Sequence, residues 1–150
     1  MNKVLPYFSF QGRANRSRFW LTVLILYAAL FGGILLSVPF VLLGPAQYVV
    51  EGVVVIAFLV AAVANSVRRL HDRNRSGWWL LLIAVVPAIL SVFGQALMET
   101  ESGQGLGAIF ALLSLPLSLW AFVELGCLKG TTGPNRFGAD PLQPLEGVFA

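Results

Sequence analysis

Four long apolar stretches, at residues 19–43, 48–67, 78–98 and 106–128, leave this chain almost no way to fold in water. Each is near the roughly 20 residues a helix needs to span the hydrocarbon core of a bilayer. The first holds no charge, and Gly44-Pro45 supplies a turn between it and the second. A polar loop from Glu99 to Gly107 separates the third from the fourth. Helices are the expected form, because an open sheet in lipid leaves edge backbone groups without partners. Pro39, Pro87 and Pro116 fall inside these stretches, where packed neighbours absorb a kink. Composition agrees: 57% of residues are apolar and 11% charged, against roughly 45–50% and about 25% in soluble domains. A water-soluble body of 150 residues has too much surface for its volume to hide that much apolar area. The expected fold is a single all-α membrane domain over residues 1–150. It is a four-transmembrane-helix bundle with a short interfacial segment at its N-terminus.

Charge sets the expected orientation. Lys3, Arg13, Arg16 and Arg18 precede the first stretch. They resemble the start of a secretion signal, but the stretch that follows outruns the roughly 7–15-residue core of a cleaved signal. An uncleaved first helix is expected. Arg68, Arg69, Arg73 and Arg75 lie between the second and third stretches, and Lys129 and Arg136 follow the fourth. With an even number of spans, segments 1–18, 68–77 and 129–150 share one side. The opposite loops carry Glu99 and Glu101 and no basic residue, with Glu51 near that edge. Basic residues gather in cytoplasmic loops, so both termini are expected in the cytoplasm. The net charge of +3 points to anionic lipid headgroups or phosphate-bearing ligands rather than nucleic acid, because it sits in short clusters between apolar runs. Cys127, the single cysteine, has no partner for a disulfide or a cysteine metal site and is expected to pack. No residue pattern calls for a metal or a cofactor.

The chain also echoes itself. Asn15-Arg16-Ser17-Arg18-Phe19-Trp20-Leu21 enters the first span, and Asn74-Arg75-Ser76-Gly77-Trp78-Trp79-Leu80 enters the third. Such an echo is expected of two parallel helical-hairpin repeats, or of convergence at an interface that favours Arg and Trp. Trp20, Trp78 and Trp79 are the expected interfacial anchors.

Three segments on the basic side carry specific-looking residues. In the first, Arg13, Arg16 and Trp20 are spaced to share a helix face. In the second, Arg68-Arg69-Leu70-His71-Asp72-Arg73-Asn74-Arg75, a continuing helix would line up Arg68, Asp72 and Arg75, with Asp72 able to pair with either arginine. The third, Gly133-Pro134-Asn135-Arg136-Phe137-Gly138-Ala139-Asp140-Pro141, is rich in turn formers and could fold back beneath the helices. Together these motifs resemble a bacterial inner-membrane family catalogued as domain of unknown function 805 (YhaH-like), over nearly the whole chain. Phe137 stands where that family leads one to expect tyrosine, and Ala139 where proline is frequent. The resemblance implies a four-helix inner-membrane protein and implies no reaction.

Three functional readings follow. The leading one is a binding or accessory module whose cytoplasmic pocket, built from Arg13, Arg16, Arg68, Arg69, His71, Asp72, Arg75, Asn135 and Arg136, takes an anionic phospholipid, another phosphate-bearing ligand or a partner's acidic segment. Arginine makes planar two-point contacts with phosphate that lysine cannot. The second is a small transporter or channel using Glu124. It would need a homo-oligomer or another membrane protein, with close helix contacts at Gly32-Gly33 or Ala57/Ala61. Glu124 lies at membrane depth, where an acid needs a partner, expected among Arg13, Arg16, Arg68 and Arg69. The third is an enzyme using His71 and Asp72, and the residues speak against it more than for it. Neighbours on a helix point about 100° apart, and no nucleophile motif or second histidine accompanies them. His71 is then a polar interfacial residue bonded to the neighbours of Asp72 or to a backbone carbonyl. Gly103-Gln104-Gly105-Leu106-Gly107 reads as a flexible connection rather than a phosphate loop.

Overall fold

The computed structural model of the chain describes residues 5–38, 44 and 46–142, and among these it contains helices and turns but no strand. Four helices are long and apolar enough to cross a membrane: Arg16–Ser37, Gln47–Asp72, Leu81–Met98 and Glu101–Cys127. The first is α1 (Arg16–Ser37) and the second α2 (Ala46–Asp72). The third opens with a π turn (Leu81–Val85) and continues as α3 (Val86–Met98). The fourth is α4 (Gln104–Phe122), closed by a second π turn (Val123–Cys127). Lys3, the first span's expected end with Pro39, Pro45, and the tail beyond residue 142 lie outside the described residues.

Local chemistry explains the element ends. Asn15 caps α1, its Oδ1 accepting from the Arg18 N–H at 2.9 Å, as a short polar side chain does at a helix start. Pro87 has no N–H to donate and its ring crowds the carbonyl four residues back. The π turn just before it relieves that crowding by passing the Val86 N–H to Leu81 O, five residues back.

The helices pair as antiparallel hairpins. On α1 and α2, Ser37 meets Glu51, Tyr27 meets Phe58, and Asn65 bonds the Phe19 carbonyl. On α3 and α4, Phe93 meets Phe110 and the backbones touch at Gly94 and Gly107. A Cβ added at Gly94 would lie 2.9 Å from Gly107 O, and one at Gly107 would lie 2.6 Å from Gly94 O. Small residues permit such approach in lipid. Gly107 is thus a helix-packing residue, and Gly105 and Gly107 lie inside α4 rather than in the flexible connection expected of them. Of the positions expected to make close contacts, Ala61 is buried and Gly33 meets Val54, while a Cβ at Gly32 would meet open space. The Leu5–Phe8 turn packs on α2 at the N-terminus.

Leu70, Leu80 and Ile83 form a small apolar core, with Val67, Trp120 and Leu125 against it, where the hairpins meet. Outside it the distribution is inverted from that of a soluble protein. Leu24, Phe31, Val53, Leu112 and Leu119 are exposed, while Arg13, Arg68, Arg69, Asp72 and Glu124 are buried. In water the reverse holds; with lipid as solvent the apolar surface is satisfied outside and the charges must be satisfied within. Nine of the ten basic residues lie at one end of the helices: before or in the first turn of α1, near the end of α2 or just after it, or after α4 and its π turn.

Candidate functional site

At this basic end α2 and α4 terminate side by side, each leaving its last carbonyls without partners inside the helix. Below α4 those carbonyls are taken up one after another by side chains from the other hairpin. Leu125 O accepts from Arg69 Nε at 2.8 Å, Gly126 O from Trp20 Nε1 at 3.2 Å, Cys127 O from Arg16 Nη1 at 3.2 Å, and Leu128 O from Arg69 Nη2. Below α2 the partners come from the chain's two ends. Arg68 O accepts from Ala14 N–H at 3.1 Å. His71 O accepts from Asn135 Nδ2 at 2.9 Å, and Asp72 O from the Thr131 N–H at 2.8 Å and its hydroxyl at 3.0 Å. Cationic side chains at helix C-termini also meet the negative end of the helix dipole. The three segments therefore converge.

Asp72 is the centre of the convergence. Its Oδ1 accepts from Arg13 Nε and faces Arg13 Nη2, both at 3.1 Å, and its Oδ2 accepts from Arg69 Nη1 at 2.6 Å. Arg13 goes on to the carbonyls of Thr131 at 2.5 Å and Gly133 at 2.7 Å. Gly130 passes so close to the Asp72 carboxylate that a Cβ there would strike both its oxygens. The expected line of Arg68, Asp72 and Arg75 does not form. The helix stops at Asp72, and Asn74 takes a left-handed conformation (φ 57°) that turns the chain away, a backbone state Asn tolerates better than most residues. Arg68 stays buried, its Nε 3.4 Å from Ala64 O of its own helix.

That turn also decides the partner of Glu124. Its Oε1 accepts from Arg73 Nε at 3.0 Å and pairs with Arg75 Nε at 3.1 Å, not with Arg13, Arg16, Arg68 or Arg69 as expected. Arg75 additionally lies over the Trp79 ring, 4.5 Å from its centroid. The echoed segments thus take different parts. Asn15 caps a helix where Asn74 bends the chain, and Arg16 binds a carbonyl where Arg75 binds a carboxylate.

His71 is stacked flat on Phe137, ring centroids 3.9 Å apart, with Nδ1 3.2 Å from Gly12 O. Its partner is therefore a backbone carbonyl, and Asp72 is turned toward the arginines. Asn135 bridges His71 O and Thr131 Oγ1, and Arg136 donates to Asn74 O at 3.0 Å. Trp78 is exposed, whereas Trp20 and Trp79 are packed in part against α4 through Phe122 and Trp120. Cys127 is exposed rather than packed.

Two spaces adjoin this network. A polar hollow of about 370 Å³ is lined by Asn15, Arg16, Asp72, Lys129, Thr131, Thr132 and Asp140 among others. Backbone N–H groups of Leu142 and Gly133 bind the Asp140 carboxylate and hold its pKa below the usual range. An apolar groove of about 510 Å³ runs between α1, α2 and the end of α4, lined by Trp20, Val23, Phe58, Asn65, Phe122 and Leu125 among others. Arg16 and Trp20 stand one turn apart on α1 and bond consecutive carbonyls, so hollow and groove succeed one another along a single seam.

A family model described as protein of unknown function (DUF805) matches residues 7–139, a span that takes in the first two converging segments and the third as far as Ala139. The chain belongs to the DUF805 family. Among its relatives in Escherichia coli (strain K12), uncharacterized protein YiiR is 32% identical over 133 residues, covering 89% of this chain and 86% of YiiR. Inner membrane protein YhaI is 29% identical over 136 residues, 90% of this chain and 87% of its own. Inner membrane protein YhaH is 29% identical over 149 residues, 95% and 96% of the two chains. No solved structure matches the chain.

Several residues that build the site in this DUF805 protein were not among the sequence candidates. Arg73, Lys129, Gly130 and Thr131 sit in the right segments, but their roles depend on where α2 stops. Asn65 lies inside an apolar span, and its polarity was the one signal that could have drawn attention to it.

Proposed function

We propose that this DUF805 protein is an inner-membrane binding module with its basic end in the cytoplasm, and that the polar hollow takes the phosphate of an anionic phospholipid. The observation that carries this reading is how the cations are divided. Arg13, Arg69, Arg73 and Arg75 are committed to internal carboxylates. Arg16 and Lys129 line the hollow, and among the described residues neither is in an ion pair. The two carboxylates that line it are already held, Asp72 by two guanidinium groups and Asp140 by two backbone N–H groups. With the Asp72 charge met by two guanidinium groups, Arg16 and Lys129 face one remaining carboxylate, Asp140, beside the Thr132 hydroxyl. That excess of cation suits a phosphate, and the inner leaflet supplies anionic headgroups. The internal arginines hold the floor rigid, since they tie helix ends together rather than reaching outward.

The other readings find less support in the geometry. Glu124 is clasped by two arginines, as a structural acid would be, and His71 and Asp72 face different partners.

Purified protein analysed by native mass spectrometry should retain anionic phospholipid, and Arg16→Gln combined with Lys129→Gln should remove it. Arg18→Gln combined with Arg136→Gln should not. Equal retention in both pairs sinks the reading. Orientation is tested on a Cys127→Ser background, where an impermeant thiol reagent should label Leu142→Cys only in inverted vesicles and Ser102→Cys only in intact spheroplasts.

A further inference from the structure

Asn65 is almost wholly buried, 1% exposed, and lines the apolar groove. Its Nδ2 donates to the Phe19 carbonyl at 3.2 Å, while its Oδ1 is buried without a hydrogen-bond partner among the described residues. The amide orientation is not arbitrary: turned over, it would set oxygen against the Phe19 oxygen. An acceptor shut away from water and left unpaired is costly. None of the described residues lining the groove donates to it: the Ser66 hydroxyl bonds Ala62 O at 2.9 Å and Trp20 Nε1 bonds Gly126 O at 3.2 Å.

The level of this acceptor limits what can satisfy it. Phe19 follows Arg16 by three residues, a rise of about 4.5 Å along α1. A molecule with its phosphate in the hollow would therefore bring its glycerol or linker region, not the middle of its acyl chain, to Asn65. At that level a diacyl glycerophospholipid offers only ester acceptors, which would face Asn65 Oδ1 unfavourably. A free hydroxyl or an amide N–H would complete it. The groove's size falls within the roughly 300–1,000 Å³ of small-molecule sites.

We infer that hollow and groove together select a phosphate-bearing acyl amphiphile with a hydrogen-bond donor at its linker, either a lysophospholipid hydroxyl or an N-acyl amide, and that Asn65 Oδ1 is the specificity-determining acceptor. This rests on the proposed headgroup site. Its test uses the intact protein in detergent, with binding followed by quenching of tryptophan fluorescence by bromine on the acyl chain. One ligand pair is lysophosphatidylglycerol and its sn-2 O-methyl ether; the other is an N-acyl phosphoethanolamine and its N-methyl amide. Masking the donor of the preferred ligand should weaken binding about tenfold, the loss expected when a buried acceptor goes unpaired. The pair that shows the loss identifies the donor. Asn65→Ala should erase the discrimination. If neither methylation weakens binding to the natural protein, the proposal is overturned, whatever Asn65→Ala does to folding. Arg16→Gln with Lys129→Gln should weaken every ligand by a similar factor and keep the donor preference. A donor preference that survives with affinity unchanged in that variant would overturn the headgroup reading alone.

Discussion

Asp72 and Glu124 are both buried acids at the same end of the protein, yet they are held in opposite ways. The arginines on Asp72 come from two different segments, and their side chains are 1% and 0% exposed. The arginines on Glu124 come from one loop, and their side chains are 20% and 32% exposed. Removing one acid strands cations that cannot reach water; removing the other frees cations that can. The first is a knot joining three segments, the second a clasp on one loop. Burial of the partners, rather than of the acid, decides the difference.

The largest expected effect is therefore at the knot. Asp72→Asn leaves two guanidinium groups buried without an anion and should cost about 3–5 kcal/mol, read as loss of thermal stability in detergent by tryptophan fluorescence. Gly130→Ala attacks the same knot sterically, and crowding at a packed position should cost about 1–3 kcal/mol in the same assay. Glu124→Gln should cost less, about 1–2 kcal/mol, because water screens and rehydrates the partly exposed arginines. A larger loss for Glu124→Gln than for Asp72→Asn would break the comparison. The smallest effect sharpens it at the partly exposed Asp140. Backbone N–H groups of Leu142 and Gly133 lower the Asp140 pKa, so its contribution is full above the ordinary carboxylate pKa of about 3.9. It fades as pH falls through the lowered folded value. Wild type and Asp140→Asn should accordingly differ slightly near neutral pH and converge in acid.

How much of this was legible in the sequence depends on the interaction. The spans were, because each is a run of apolar residues whose length matches a bilayer and needs no knowledge of neighbours. The one-sided arginines were too, as were the three segments that meet. Their wiring was not. Arg69 and Arg16 bind backbone carbonyls at the end of α4, and an acceptor present at every residue leaves no mark in a sequence. Glu124 was assigned to the wrong arginines because its true partners depend on α2 ending at Asp72 and on Asn74 reversing the chain. Gly107 looked like loop because glycine is usually a breaker, whereas here the missing side chain lets α3 and α4 touch. The pocket expected from many arginines became a floor built by most of them, with Arg16 left to line a hollow together with Lys129.

The central claim is that segments far apart in sequence are locked together through one buried acid. A double-mutant cycle between Arg13 and Asp72 tests it most directly, using Arg13→Gln, Asp72→Asn and both together in thermal unfolding. The prediction is strong non-additivity, with the double variant little worse than Asp72→Asn alone and a coupling of about 1 kcal/mol or more. Losses that simply add would mean the two residues do not meet, and would contradict the account.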